Sequence, residues 1–130
     1  MDKAVKAIIL QKGKFLLLRQ KVDEKIFYTL PGGRVRSKNY KEELKREVLE
    51  ETGLIIAIIK YVGSWYFVRE SNGVKTVCRT YICRTIEKSK KSPENYEIIK
   101  HEKWVSKKEF LSGNYTNNKS LLQLIIKKSV

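Results

Sequence analysis

Four charged residues on one short segment have the types and spacing that could hold a divalent metal ion. Glu47, Glu50 and Glu51 stand at i, i+3 and i+4, so on a helix their carboxylates share one face. Like charges at this spacing repel each other by roughly 0.2–0.5 kcal/mol per pair, and a bound cation offsets that cost. Clustered carboxylate oxygens are the ligands that Mg²⁺ and Mn²⁺ prefer. Arg46 precedes them and can orient one carboxylate through its planar guanidinium.

The same charges also fit an ordinary solvated helix face, and their spacing alone leaves both interpretations open. The position of the acids in this chain is unusual, however. The chain has 28 Lys and Arg residues against 14 Asp and Glu residues, a formal charge of +14, yet five of the acids fall between Glu42 and Glu51. A chain this basic attracts polyanions, which include nucleotides, nucleic acids and anionic membrane surfaces.

A helix is the element that must position these residues. From Tyr40 to Thr52 the apolar residues repeat with a helical period that places Leu44 and Val48 on one side and the charges on the other. Gly53 has the position of a helix C-terminal glycine. The sequence therefore predicts an amphipathic helix that begins shortly after a Gly-Gly pair and presents its acids to solvent or to a ligand.

Strands and two further helices are predicted around this helix. In chain order they are a hairpin over 4–19, a strand over 26–30 that ends at Pro31 and the glycine pair, a long hairpin over 54–86 turning at Asn72–Gly73, a short strand over 103–105, a helix with a capping box from Ser106, and an amphipathic helix over 118–128. Helices between strands of mixed direction predict an α/β sandwich around one mixed sheet.

Length and cysteine content limit the class of protein. A chain of 130 residues fits a single domain spanning 1–130. Cys78 and Cys83 are five residues apart on a predicted strand, so they point to opposite faces and should not bond to each other. Reduced cysteines, and the lack of an apolar run long enough for a signal peptide or a membrane span, predict a cytoplasmic protein with no membrane partner.

Residues 32–54 resemble the signature of the Nudix (MutT-like) hydrolase family, G-x5-E-x7-R-E-U-x-E-E-x-G-U, in which U is a bulky apolar residue. Eight of the nine fixed positions agree, namely Gly32, Arg46, Glu47, Val48, Glu50, Glu51, Gly53 and Leu54. Lys38 occupies the position of the first glutamate. The N-terminal strand pair, the sequence LPGG, the long hairpin and the late Trp104–Val105 extend the resemblance over nearly the full chain.

This resemblance implies a Nudix-type α/β/α sandwich that hydrolyses a diphosphate linkage in a nucleoside di- or triphosphate derivative by attack of water at phosphorus. The implied ligands for Mg²⁺ or Mn²⁺ are Glu47, Glu50, Glu51 and a backbone carbonyl at Gly32 or Gly33. Arg46 would orient a catalytic carboxylate, with Glu47 and Glu50 as the catalytic candidates. The metal would neutralise phosphate oxygens and lower the pKa of the attacking water, and a carboxylate would take the proton.

Residues outside this signature are candidates for binding the substrate, namely Arg34, Lys38, Trp65 and Phe67. Lys38 could contact a phosphate, weaken metal binding or point into solvent. Trp65 and Phe67 share one face of a predicted strand, where they could stack on a nucleobase or pack in the core. An additional ligand or base beyond the long hairpin could be Glu94, Glu97 or Glu102, whereas the lone His101 is more often a structural residue.

Two classes of function follow. The first is a metal-dependent hydrolase of a nucleotide-like small molecule, with an enzyme that processes RNA ends as a variant that would also use the basic charge. The second is a catalytically weak or inactive Nudix-like module that binds nucleotide or RNA, with Lys38 as the sign of a decayed site. Salt-sensitive RNA binding without turnover would favour the second. A homodimer is compatible with the resemblance, because many relatives dimerise.

Overall fold

A computed structural model of the chain describes residues 1–22, 24–89 and 102–128. The strands are β1 (Asp2–Gln11), β2 (Lys14–Val22), β3 (Lys25–Thr29), β4 (Gly32–Arg34), β5 (Leu54–Val68), β6 (Lys75–Lys88) and β7 (Glu102–Ser106). The described helices are α1 (Tyr40–Thr52), α2 (Lys107–Phe110) and α3 (Lys119–Lys127). Within these residues, none of the helices has the length and apolar character needed to cross a membrane.

The strands form one mixed sheet in which β1 is central. β1 runs parallel to β6 and antiparallel to β4, and β6 in turn pairs antiparallel with β5. The β1–β2 hairpin turns at Lys12 and Gly13, both of which have positive φ angles. Through this hairpin the sheet continues to β3 and β7, which both run antiparallel to β2.

Two apolar clusters cover the opposite faces of the sheet, since successive side chains of a strand point to opposite sides. The cluster under α1 contains Val5, Ala7, Ile9, Leu16, Leu18, Leu44, Val48, Ile56, Tyr81 and Cys83. The cluster under α2 and α3 contains Ala4, Ile8, Phe15, Leu17, Leu30, Val62, Trp65, Cys78, Ile82, Val105, Phe110, Leu121, Leu124 and Ile125. The predicted α/β/α sandwich is confirmed, and the two cysteines are free thiols in different clusters.

Local signals in the sequence predicted several elements correctly. Helix α1 has the predicted bounds and ends at Gly53, whose φ is 74° and whose N–H donates to the carbonyl oxygen of Leu49 at 2.9 Å. The long hairpin turns as predicted, with the N–H of Val74 donating to the side-chain oxygen of Asn72 at 2.9 Å. The capping box at Ser106 is also present.

The glycine pair forms a strand that was not predicted. The strand before it ends at Thr29, ahead of Pro31 as expected, but Gly32–Arg34 then forms β4, with Gly32 opposite Lys6 of β1. A Cβ atom added at Gly32 would lie 1.9 Å from the carbonyl oxygen of Val5, and the φ angle of Gly32 is 146°. Glycine is therefore required here because the two backbones approach closely, a role that glycine takes in strands as well as in turns.

We expect Gly32→Ala to lower the free energy of unfolding by about 3 kcal/mol or more, because both the clash with β1 and the positive φ oppose a side chain. Gly113→Ala is the matched control, since Gly113 also has a positive φ of 88° but no atom within 4 Å of an added Cβ. Backbone strain alone should cost that variant about 1 kcal/mol. Urea unfolding measures both values, and equal losses in the two variants would contradict the close approach.

Candidate active site

Helix α1 is fixed to the sheet by its apolar side. Leu44 and Val48 are fully buried against the strands. At the start of the helix, the guanidinium carbon of Arg79 on β6 lies 4.9 Å from the centre of the Tyr40 ring and 4.5 Å from that of Tyr61. Cation–π contacts of this kind add to the apolar packing. Glu47 and Glu51 border this apolar side of the helix and contact the Gly-Gly pair of β4.

Glu51 is the most deeply buried acid of the helix, with only 6% of the residue exposed. Its Oε1 accepts a hydrogen bond of 2.8 Å from the N–H of Gly32. Burial, together with the negative charges of Glu47 and Glu50, raises the pKa of Glu51 to about 7. The Gly32 N–H and the Lys6 ammonium act in the opposite direction. The three carboxylates are thus close enough to interact electrostatically.

Lys6 is a cation that the sequence analysis did not single out. It interrupts the apolar run of β1, and its half-buried ammonium donates to Thr29 Oγ1 and to the carbonyl oxygen of Leu30, both at 3.3 Å. From this position its positive charge favours the ionised form of Glu51. A lysine inside an apolar strand is the sequence signal that could have indicated a buried partner.

Arg46 pairs with the glutamates on either side of it. Its Nη1 donates to Glu50 Oε1 at 3.0 Å and to Oε2 at 3.2 Å. Its Nη2 lies 3.3 Å from Glu47 Oε1. The hydrogen bond to Glu50 raises the pKa of Arg46 further above its usual value. Arg46 therefore offsets the repulsion between these two carboxylates and orients both.

A polar cleft of about 390 Å³ opens beside Glu47. Its lining residues are Gly33, Arg34, Arg36, Arg46 and Glu47. A Cβ atom added at Gly33 would lie 2.5 Å from the carboxyl carbon of Glu47, so this carboxylate packs directly on the backbone of β4. The cleft thus combines one of the predicted metal ligands with three arginines, a set suited to phosphate groups.

The loop between β4 and α1 is held by Glu43, whose part the sequence analysis missed. Glu43 accepts hydrogen bonds from the N–H groups of Arg36 and Ser37, at 3.1 and 3.0 Å, and from Ser37 Oγ at 2.8 Å. These bonds lower the pKa of Glu43. An acid in the first turn of a helix that follows a short polar loop is the only signal of this contact in the sequence.

The donor set suits a hard divalent cation, because Glu47 and Glu51 lie next to the backbone of Gly32 and Gly33, and Glu50 is close enough to act on Glu51 electrostatically. Two of these carboxylates nevertheless already accept hydrogen bonds from the protein, since Arg46 donates to Glu50 and the Gly32 N–H donates to Glu51. Among the described residues, no three His, Cys, Asp or Glu side chains converge on one point as a ligand shell. The residues therefore fit a metal ion in the type of their donor atoms and in their closeness to one another, although they are not arranged as a ligand shell.

The remaining predicted site residues lie elsewhere. Lys38 is exposed in the loop before α1. Trp65 is buried in the cluster under α3, where its indole N–H donates to Thr80 Oγ1 at 2.9 Å, and Phe67 packs beside it. The structure does not bring these two rings to the glutamates, and their stacking role stays a prediction. Glu102 begins β7, whereas Glu94, Glu97 and His101 lie outside the described residues.

Comparison with known proteins gives a consistent picture. A family model described as "NUDIX domain" matches residues 2–125. The MutT protein from Methanosarcina mazei Go1 is a similar solved structure, with 29% identity, a TM-score of 0.76, and coverage of 97% of this chain and 91% of that one. Among the curated proteins, the search found no match.

Two less similar structures share the fold. A NUDIX hydrolase from Nitrosomonas europaea is 23% identical, with a TM-score of 0.79 over 97% of this chain and 86% of that one. An ADP-ribose pyrophosphatase from Streptococcus suis is 18% identical, with a TM-score of 0.62 over 97% of this chain and 90% of that one. At these identities the comparison concerns the fold alone.

Glu51 should make the stability of the metal-free chain depend on pH. Its pKa rises from 4.5 to about 7 on folding, so its protonated form stabilises the fold. That contribution is fully present below pH 4.5 and is lost as the pH rises through about 7, a loss of about 3 kcal/mol. Glu51→Gln keeps an oxygen that can accept from Gly32 but cannot ionise, so it should remove this dependence.

Urea unfolding in EDTA at about pH 4 and about pH 8 measures the effect. Relative to the wild type, Glu51→Gln should gain about 3 kcal/mol between the two pH values. Glu42→Gln is the control, because Glu42 is an exposed acid on the same helix that pairs with Lys45 at 3.5 Å. The same pH dependence in Glu51→Gln and in the wild type would contradict the raised pKa.

Proposed function

Because the chain belongs to the Nudix family, we propose that it hydrolyses a diphosphate linkage in a nucleoside di- or triphosphate derivative, with Mg²⁺ or Mn²⁺ as cofactor. The observation that carries this proposal is the placement of Glu47 and Glu51 directly on the Gly32–Gly33 backbone, beside a cleft lined with arginines. Nudix hydrolases generally use divalent metals, and the carboxylates of Glu47, Glu50 and Glu51 interact at this place.

Glu47, Glu50 and Glu51, with a backbone carbonyl at Gly32 or Gly33, are the residues that would hold the metal. When bound, a divalent ion neutralises charge on the diphosphate and lowers the pKa of a coordinated water. The Gly32 N–H fixes the direction of the Glu51 carboxylate, and Arg46 fixes that of Glu50.

Glu47 and Glu50 are the proposed catalytic carboxylates. Glu47 lines the cleft, so it is placed to accept a proton from a water molecule that attacks a phosphate there. Glu50 lies against Arg46, which orients it. Arg34 and Arg36 line the same cleft and can bind the oxygens of the phosphate chain, while Lys38 adds positive charge to the loop that carries them.

A panel of nucleoside triphosphates, their oxidised forms, ADP-ribose and capped RNA tests this proposal, with release of phosphate or pyrophosphate as the measurement. We expect turnover in Mg²⁺ or Mn²⁺ and none in EDTA. Glu47→Gln and Glu50→Gln should lower kcat by about 100-fold or more, because each removes a carboxylate from the site. Glu42→Gln should keep wild-type activity.

Two results would contradict the proposal. Full activity in both Glu47→Gln and Glu50→Gln would place the active site elsewhere. A lack of turnover on the whole panel, together with salt-sensitive binding of RNA, would instead support a binding module. The charge of +14 and the exposed Lys38 motivate that second candidate, whereas the ordered pairing of Arg46 with Glu50 and Glu47 supports the enzyme.

A further inference from the structure

The loop that carries Arg34, Arg36 and Lys38, here called the basic loop (residues 34–38), is attached at its start and at its centre. At its start, the N–H of Val35 donates to the carbonyl oxygen of Lys3 on β1 at 3.0 Å. At its centre, the carboxylate of Glu43 accepts the N–H groups of Arg36 and Ser37 and the hydroxyl of Ser37. The backbone of the loop is therefore fixed against both the sheet and helix α1.

Glu43 is well placed to hold this loop. Only 13% of its side chain is exposed, although it belongs to the charged side of the helix. It uses both carboxylate oxygens on the loop, and its nearest cation, Arg46, is 3.8 Å away. Hydrogen bonds from backbone N–H groups to a carboxylate are charge-assisted and stronger than neutral ones. The anchor thus comes from the helix and needs no acid in the loop itself.

The arginines of the cleft differ in what they already bind. Arg34 pairs with Asp2 at 3.2 Å, and Arg46 pairs with the glutamates of α1. The guanidinium of Arg36 has no hydrogen bond or ion pair with any described residue, yet Arg36 lines the cleft next to Glu47. Within Arg36, Glu43 binds the backbone N–H and not the guanidinium, so the charge of that side chain is available to a ligand.

We propose that Arg36 binds a phosphate group of a polyphosphate-bearing substrate, and that Glu43 is a positioning residue that fixes the backbone from which Arg36 reaches the cleft. The proposal rests on the proposed function for the identity of the substrate. It also gives a physical reason for Lys38. Because Glu43 holds the loop from the helix, position 38 need not carry a carboxylate, and every charge in the basic loop is positive.

A double-mutant cycle tests both parts, with inorganic triphosphate as the probe and isothermal titration calorimetry in Mg²⁺ as the measurement. Arg36→Ala should weaken binding about tenfold, because a charge-assisted, bidentate contact is lost. Glu43→Ala should weaken it about three- to tenfold, because the loop backbone is released. The double variant should bind within about twofold of Arg36→Ala, since Glu43 acts through Arg36.

The controls separate positioning from general damage. Glu42→Ala removes a neighbouring carboxylate of α1 that does not contact the loop, and it should bind within about twofold of the wild type. Glu43→Gln keeps one acceptor oxygen and should recover part of the affinity that Glu43→Ala loses. Thermal unfolding of each variant confirms that it is folded, and the exposed Arg36 can be replaced without disturbing the core.

An affinity of Arg36→Ala equal to that of the wild type would overturn the phosphate contact. If the losses from Arg36→Ala and Glu43→Ala multiply in the double variant, Glu43 does not act through Arg36, and its positioning role is wrong. Failure of the proposed function can be distinguished from failure of this inference. If the chain hydrolyses no nucleotide but the variants lose triphosphate affinity in the predicted pattern, the proposed function fails and this inference stands. If the chain is an active enzyme and the variants show none of these losses, only this inference fails.

Discussion

The close approach of β4 to β1 is the constraint on which the candidate site depends. At Gly32 the two backbones leave no room for a side chain, and the N–H of the same residue donates a hydrogen bond to the Glu51 carboxylate. At the next residue, the missing side chain of Gly33 leaves the space that the Glu47 carboxylate occupies. The two glycines therefore act as a surface of bare backbone on which two carboxylates of α1 rest. A side chain at either position would move the strand or the carboxylate.

Local compensation, rather than the charge of the whole chain, makes the acidic cluster tolerable. A formal charge of +14 is spread over the surface, where solvent and salt screen it. Burial and the repulsion from Glu47 and Glu50 raise the pKa of Glu51, and Lys6 from the sheet opposes this rise. On the helix itself, Arg46 pairs with Glu50 and Glu47. A bound divalent ion would further offset the repulsion among these carboxylates. The same group of charges would therefore serve both the stability of the fold and the proposed chemistry.

The sequence was sufficient for features that depend on local periodicity. The bounds of α1, its glycine end, the long hairpin and the opposite faces of the two cysteines all follow from repeats of two or 3.6 residues. β4 was missed because three residues containing a glycine pair have no periodicity and indicate a turn. Lys6 was missed because its partners, the Leu30 carbonyl and the Glu51 carboxylate, are distant in sequence. Glu43 was missed because its partners include backbone N–H groups of the adjoining loop. Packing of Trp65 in the core was one of two predicted alternatives and is the one observed. Alternation alone could not decide between them, since it places a residue on a face but does not say what covers that face.

The central claim is that the carboxylates resting on the glycine pair hold a divalent metal at a site of diphosphate hydrolysis. Anomalous diffraction from crystals soaked in Mn²⁺ is its most direct test. We expect an anomalous peak coordinated by carboxylate oxygens of Glu47, Glu50 and Glu51 beside the Gly32–Gly33 backbone. A peak bound elsewhere, or none at this position in crystals saturated with Mn²⁺, would contradict it.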